Sequence, residues 1–370
     1  MDNANRLFYI EELEDIYANI EAKKRAAKTY RERVDYLQFY DEREFMKRFR
    51  ISKGTFQLLL QKVGPSLQAK VSKQYSVSPR TKLLITLRFY ASGSFLITVG
   101  DFCGVSVSTA SRLVKETSHA LASMAKEYIK FPFDAKEKQQ TSSEFFAIAK
   151  FPKVIGAIDC THVRIQSPGG DNGEIFRNRK GYFSFNVQAV CNAKLMFQDL
   201  VARWPGSAHD SNIFQNSRLK FRFEEGHFQN YVLLGDSGYK QCKYMMTPLL
   251  NPCTGPEALY NESQIRTRNT IERCFGVWKR RFPVLSMGLR LATSTKMSVI
   301  VACAVLHNIA IIEKDLLPPN ETNLVPEDDL SDYSGETQVS SQANSIARTI
   351  LIENYFTKYI NKSGCLTKFF

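Results

Sequence analysis

The chain has 370 residues, of which 44% are hydrophobic and 12% aromatic, so a chain that is disordered throughout is excluded. Its formal net charge is +13. The basic excess lies in residues 1–317, whereas acidic side chains exceed basic ones in residues 318–370. This balance indicates a polyanionic partner, most commonly nucleic acid, although ribosomal, membrane-surface and other basic soluble proteins share it.

The length favours two folded domains followed by a tail. Residues 1–150 have the pattern of helices, residues 151–317 contain the strands, and residues 318–370 are rich in acidic and small polar side chains. We therefore expect a helical N-terminal region, a mixed α and β domain, and an acidic, flexible C-terminal tail. Within that tail, residues 350–360 form an amphipathic piece, the part expected to dock.

Cysteine spacing and apolar runs argue against several other classes of protein. The eight cysteines include no Cys-x-x-Cys pair, so a zinc module is not expected. Residues 1–10 lack the basic and apolar regions of a secretory signal. The most apolar run, residues 297–312, is shorter than the roughly 20 residues that cross a membrane. We expect it to be a buried core helix of a soluble, intracellular protein.

Residues 94–121 carry the clearest local signal for DNA binding. A short helix over residues 95–103 is followed by a turn at Gly104 and a second helix, capped by Ser106 or Ser108. This order is typical of a helix-turn-helix, in which the start of the second helix contacts bases, although an ordinary helical hairpin shares it. The residues that would face DNA are Ser108, Thr109, Ser111, Arg112 and Lys115.

A second basic cluster lies between Lys23 and Arg33. It is typical of a solvated helix face, with a nuclear-import or phosphate-contacting segment as the alternative. We expect the protein in the nucleus, with the cytoplasm as a second location.

From residue 151 the pattern is that of strands. Residues 154–165 are apolar on both faces up to Asp159, which indicates a central strand. Residues 182–192 and 197–204 continue as an antiparallel meander, and residues 231–234 form a fourth short strand. A helix over residues 267–282 follows a stretch rich in proline and glycine.

Three acidic residues occupy positions where a lone carboxylate is costly. Asp159 lies in the central strand, Asp236 directly follows another apolar strand, and Glu272 borders the apolar face of a helix. Each has a structural explanation by itself. Asp159 could bond to backbone amides or to His162, and Asp236 could begin a turn. Glu272 could pair with Arg268 one helical turn earlier.

Taken together, the three acids predict a site for two Mg²⁺ or Mn²⁺ ions. Hard cations prefer carboxylate oxygens. Two such ions, held ~3.5–4 Å apart, activate a water and stabilise the charge that develops when a phosphodiester is cut. Asp159 is the candidate bridging ligand because a central strand is the most rigid support.

Five motifs in order resemble the PIF/Harbinger transposases and the Harbinger transposase-derived nuclease of animals. They are AIDCTH (157–162), WPGSAHD (204–210), LLGDSGY (233–239), NTIERCFG (269–276) and CAVLHN (303–308). The resemblance implies a ribonuclease-H-like fold, a mixed sheet flanked by helices, with Asp159, Asp236 and Glu272 as its catalytic DDE triad. It also implies a divalent metal cofactor and a separate Myb-like DNA-binding partner.

Asp210, in the second motif, has two interpretations. At the first turn of a helix it would act as an N-cap, which is the interpretation we favour. Alternatively, it is a fourth metal neighbour beside the triad. Basic residues around the acids are expected to contact DNA phosphates: Arg179, Lys180, Arg268 and Arg273.

These features predict a metal-dependent DNA endonuclease, either an active transposase capable of strand transfer or a domesticated nuclease, and a homo-oligomer is a possible form. The main alternative is a transposase-derived DNA-binding or scaffolding protein that does not cut. A metal hydrolase of small phosphates would leave the helix-turn-helix and the basic residues unexplained.

Overall fold

The computed structural model describes residues 34–69, 76–315 and 342–363. The basic cluster between Lys23 and Arg33 lies outside these residues.

The described part of the chain before residue 150 is helical. Several of its helices begin where an Asp or Ser side chain accepts a hydrogen bond from a backbone amide of the first turn, which satisfies one of the unpaired donors there. The helices are α1 (Tyr36–Phe39), α2 (Glu42–Phe49), α3 (Lys53–Leu67), α4 (Pro79–Ser92), α5 (Leu96–Phe102), α6 (Val107–Ser123), α7 (Ala125–Tyr128) and α8 (Ala135–Ala149).

The two helices expected within residues 94–121 are present as α5 and α6. Gly104, at φ +65°, lies in the turn between them. The side chain of Ser106 caps α6 by accepting a hydrogen bond from the amide of Thr109 at 3.3 Å. Of the two candidate caps, the structure therefore selects Ser106, and the base-reading role of the pair remains a prediction.

A five-stranded mixed sheet follows, in the order β3-β2-β1-β4-β5. β1 pairs antiparallel with β2, and β2 with β3, whereas β1–β4 and β4–β5 are parallel. The fifth strand was not predicted because two residues are too few to give a pattern. The strands are β1 (Val154–Arg164), β2 (Ser184–Cys191), β3 (Phe197–Pro205), β4 (Val232–Leu234) and β5 (Met245–Met246).

Helices cover both faces of the sheet. One face packs against a core that includes Ile271 and Trp278, whereas Ile158 and Val190 on the other face meet Phe214. The helices after β3 are α9 (Asp210–Gln215), α10 (Arg218–Glu224), α11 (Gly255–Arg281), α12 (Val284–Met287) and α13 (Thr293–Ile312).

Helix α11 is much longer than the predicted span of residues 267–282. It begins after Thr254, whose hydroxyl accepts from the amide of Glu257, while the Glu257 carboxylate accepts from the amide of Thr254. This reciprocal capping box is a strong helix start, and the preceding proline-rich stretch concealed it. The cap therefore fixes where the helix that carries Glu272 begins.

Helix α13 is, within the described ranges, the helix long and apolar enough to pass a length-and-hydropathy test for a membrane span. Of its most apolar window, 72% is buried inside the protein, as expected for a core helix. It packs against α6 and β3. Its Asn308 side chain bonds both the amide and the carbonyl of Phe197, each at 2.8 Å.

The hydrophobic core is continuous across the predicted domain boundary at residues 150 and 151. One cluster of buried side chains contains Phe45 and Leu113 from the helical region together with Trp278 and Val305 from the later helices. In addition, α8 packs directly on β1 and α11. The helical region and the sheet therefore share one apolar core, and the division into domains stays a prediction.

Residues 342–363, within the predicted tail, are helical, and they include the piece over residues 350–360 that was expected to dock. They form α14 (Gln342–Leu351), a π-helical turn (Ile352–Thr357) and α15 (Lys358–Ser363). Phe356 is fully buried, with its ring 5.7 Å from that of Phe151 and 5.6 Å from that of Tyr260. The Tyr355 hydroxyl donates to the carbonyl of Lys150 at 2.9 Å. Burial of these rings offsets the cost of ordering the segment.

We predict that Phe356→Ala releases this C-terminal segment. Removing a fully buried phenylalanine costs about 3–5 kcal/mol, which a single short docked segment does not recover elsewhere. Limited proteolysis should then cut between residues 342 and 363, and the melting temperature should fall. Ile350→Ala is the matched control because its side chain is 50% exposed. Equal protease resistance in the two variants would contradict the docking.

Candidate active site

Parallel pairing of β1 with β4 sets two aspartates side by side. Ala157 lies opposite Leu234, the last residue of β4. Asp159 lies two residues further along β1, and Asp236 lies two residues past the end of β4, so both acids follow the same point of pairing. Asp159 is fully buried and Asp236 is 7% exposed, so neither carboxylate is well hydrated.

Asp159 is held at both oxygens. Its Oδ1 accepts from the amide of Cys160 at 2.8 Å, and its Oδ2 lies 3.4 Å from Nη1 of Arg268. Burial raises the pKa of Asp159 well above its ordinary value, the charge of Asp236 raises it further, and the charge of Arg268 opposes both. Such a carboxylate strongly favours any additional positive charge.

Asp236 is fixed by the turn after β4. Its Oδ1 accepts from the amide of Gly238 at 3.0 Å, and a Cβ at Gly238 would lie 3.2 Å from that same oxygen. Glycine therefore permits the close approach of this amide to the carboxylate. Burial raises the pKa of Asp236, and the charge of Asp210 is the second cause.

The favoured interpretation of Asp210 as a helix N-cap is wrong. The N-cap of α9 is His209, which makes no side-chain capping bond, and Asp210 is the first residue of the helix. Its Oδ1 accepts from Nδ2 of Asn186 at 2.8 Å, and the same Nδ2 donates to the carbonyl of Ala208. Because its charge raises the pKa of both Asp159 and Asp236, Asp210 belongs electrostatically with the acids.

Glu272 reaches the site from α11. Its Oε1 accepts from Nη2 of Arg268 at 2.8 Å, so the helical pairing considered above is present. Arg268 thereby contacts both Glu272 and Asp159, and its side chain is only 12% exposed. Arg268 is half-buried and its charge is engaged by two acids, so its contact with DNA phosphates stays a prediction.

The chemistry of the donor set fits a hard divalent cation. All four acids supply carboxylate oxygens, the donors that Mg²⁺ and Mn²⁺ prefer, and their mutual repulsion leaves a need for positive charge. In the part of the chain that the structure describes, no three His, Cys, Asp or Glu side chains converge closely enough to hold a metal as they stand. Side-chain adjustment around Arg268 would therefore accompany binding.

The other predicted DNA contacts lie at or near the surface. Of them, Ser108, Arg112, Lys115, Arg179, Lys180 and Arg273 are exposed, and Thr109 and Ser111 are half-buried. Arg112 forms an ion pair with Glu116 at 3.0 Å, on an exposed face where such pairs contribute little. These side chains are accessible to a partner.

Two contributors to the site were not predicted. Asn186 orients Asp210, but the two lie on different elements and their spacing matches no motif. Tyr239, within the third motif, lies with its hydroxyl 3.4 Å from Sγ of Cys160, and burial raises the pKa of both the thiol and the phenol. The charge of Asp210 raises both pKa values further, so this pair lies near the acids.

The mixed sheet flanked by helices is consistent with a DDE superfamily endonuclease, a family that matches residues 158–308, a range that includes all four acids. The chain belongs to the Harbinger transposase-derived nuclease family.

Several relatives carry the name "Putative nuclease HARBI1". The protein from Bos taurus is 33% identical over 80% of this chain and 86% of its own length. The protein from Homo sapiens is 36% identical over 68% of this chain and 73% of its own. The Arabidopsis thaliana protein ALP1-like is 23% identical over 83% and 80%. No solved structure matches the chain.

We predict that Asp159→Asn stabilises the protein at neutral pH. Folding raises the pKa of this carboxyl, so the folded state binds its proton more tightly than the unfolded state does. Stability is therefore lost as pH rises above the unfolded value of about 3.9. The variant should melt at a higher temperature than the wild type at pH 7 in EDTA, and the difference should vanish toward pH 4.

The control for this experiment is Asp171→Asn, which removes an exposed loop carboxylate. It should leave the melting temperature unchanged at every pH. An Asp159→Asn variant that is less stable than the wild type at pH 7 would show that the contact with Arg268 outweighs burial and repulsion.

Proposed function

We propose that this protein is a divalent-metal-dependent DNA endonuclease of the Harbinger transposase type. The observation that carries the proposal is the placement of Asp159 on β1 and of Asp236 just beyond the paired parallel strand β4, where the charge of Asp236 helps to raise the pKa of the buried Asp159. The basic net charge of the protein and the names of its relatives, which describe nucleases, support DNA as the substrate.

The acids that would bind the metal come from different elements of the fold. Asp159 and Asp236 would hold Mg²⁺ or Mn²⁺ from the rigid sheet, with Glu272 from α11 and Asp210 from the start of α9. The bound metal supplies an activated water and stabilises charge on the phosphate oxygens. The Gly238 amide and the Asn186 side-chain amide hold Asp236 and Asp210 in place, so the adjustment on metal binding would fall on the side chains around Arg268.

Helices α5 and α6 complete the proposal as a helix-turn-helix that contacts DNA through the exposed start of α6. The proposal includes a Myb-like partner, which the resemblance to the family supports, together with a homo-oligomeric form and a nuclear location. The same resemblance supports strand transfer as a further activity of the site.

We predict that Asp159→Asn, Asp236→Asn and Glu272→Gln each abolish metal-dependent cleavage while DNA binding is kept or strengthened. Each change keeps the shape of the side chain but removes charge that holds the cation and repels phosphate. Asp210→Asn should also lose most activity, because its charge acts on Asp159 and Asp236 and it would be a fourth metal ligand rather than a helix cap. Cleavage of supercoiled and linear DNA with Mg²⁺, Mn²⁺ or EDTA measures this.

Asp199→Asn is the matched control. Asp199 is another buried acid, with a pKa raised by burial to about 6, but its charged neighbours are Arg222 and Arg218 rather than the four acids. Its variant should cleave at the wild-type rate. Cleavage by Asp159→Asn at the wild-type rate would show that the active site is assigned wrongly. If the wild type cleaves no DNA, with or without a partner, the scaffolding alternative would be favoured.

A further prediction concerns α6. Reversing the charge of Arg112 and Lys115 should weaken DNA binding for all sequences and reduce the slope of log K against log salt by about 2. Reversal of Lys126 and Lys130, both exposed, changes net charge equally but lies away from the start of α6. Fluorescence anisotropy across a salt series compares the two; equal losses would remove α6 from the DNA interface.

A further inference from the structure

One cation lies among the acids of the site. The guanidinium of Arg268 contacts Oδ2 of Asp159 at 3.4 Å through Nη1 and Oε1 of Glu272 at 2.8 Å through Nη2. Arg268 on α11 and Asp159 on β1 are 109 residues apart in the chain, so this contact joins the helix to the strand. Each contact is with a carboxylate that the proposed function assigns to the metal.

We propose that Arg268 is an internal counter-ion that competes with divalent cations for Asp159 and Glu272, and so sets the metal affinity of the site. This inference rests on the proposed function. It assigns Arg268 neither to DNA binding nor to the chemistry of cleavage.

The oxygens that Arg268 contacts are the ones a metal needs. Oδ1 of Asp159 already accepts from the amide of Cys160, so Oδ2 is the oxygen that remains for another partner. An oxygen that accepts a charge-assisted hydrogen bond has to release or share it when a cation binds. The strength of the arginine contact is therefore subtracted from the affinity for the metal.

The charge of Arg268 also acts beyond its two contacts. It opposes the rise in pKa at Asp159 and likewise at Asp236, which it does not contact. A metal ion that binds the same acids therefore meets carboxylates whose negative charge Arg268 already partly neutralises. Removal of Arg268 leaves buried carboxylates with uncompensated repulsion, which destabilises the protein until another cation takes its place.

The position of Arg268 allows it to leave. Its side chain is 12% exposed, and it extends from the same helix face as Glu272, which is 38% exposed. The long side chain can therefore turn outward at the rim of the site without any change in the backbone of α11.

A purely structural ion pair makes the opposite prediction for metal binding. If Arg268 only held Glu272 in place, its loss would scatter the ligands and weaken both metal binding and stability. A competing counter-ion predicts that the two quantities move in opposite directions. Metal affinity rises, and stability without metal falls.

The test measures Mn²⁺ binding by electron paramagnetic resonance on the full-length protein, without DNA and independently of activity. Arg268→Gln should bind Mn²⁺ with a roughly tenfold lower Kd than the wild type, the scale of one charge-assisted hydrogen bond. In EDTA its melting temperature should lie below that of the wild type. Arg268→Lys keeps the charge but lacks the planar fork through which the guanidinium contacts both carboxylates, so its Kd should fall between the two.

Arg266→Gln is the control for loss of one positive charge from α11. Arg266 is 45% exposed and pairs with Glu262 at 3.7 Å, away from the acids, so its variant should match the wild type in both measurements. If Arg268→Gln does not fold, the Kd for Mn²⁺ and the melting temperature are compared between Arg268→Lys and the wild type.

The outcomes separate this inference from the proposed function. Wild-type binding of Mn²⁺, with equal or weaker binding by Arg268→Gln, overturns the inference and leaves the proposed function intact. An absence of Mn²⁺ binding by every variant overturns both.

Discussion

The parallel pairing of β1 with β4 is the constraint on which the site depends. Three backbone residue pairs join the two strands, and they bring the turn that holds Asp236 next to β1, which carries Asp159. A shift by one residue would turn the Asp159 carboxylate to the opposite face of the sheet. The burial of both strands on both faces makes such a shift costly, so the hydrophobic core and the chemistry of the acids are determined by the same contacts.

Helix α11 adds the second element of the site in a similar way. Its buried face, with Ile271, Phe275 and Trp278, fixes its rotation against the sheet. Arg268 and Glu272 border that face, one turn apart, and therefore project along the edge of the core toward Asp159. Apolar packing thus decides which charged side chains meet, although it contributes nothing to their interaction directly.

The sequence predicted the parts of the structure that depend on local pattern. The first four strands, the core helix α13 and the positions of the acids follow from hydrophobic runs and from single acids within them. The pairing of Arg268 with Asp159, the hydrogen bond from Asn186 to Asp210 and the packing of Phe356 do not, because each joins residues distant in the chain. The interpretation of Asp210 failed for this reason: a position near a helix start indicates a cap locally, and only the fold places it beside other acids.

Helix α6 shares its core with α13, and His119 of α6 lies 3.1 Å from the hydroxyl of Ser298 on α13. A shared apolar interface of this kind opposes hinge motion between the helical region and the sheet. For a protein that reads DNA with α6 and cuts it at Asp159, the distance between the recognised bases and the broken bond becomes a property of the fold. Such an enzyme would cut at a constant distance from the bases it recognises, and any variation in that distance would have to come from bending of the DNA.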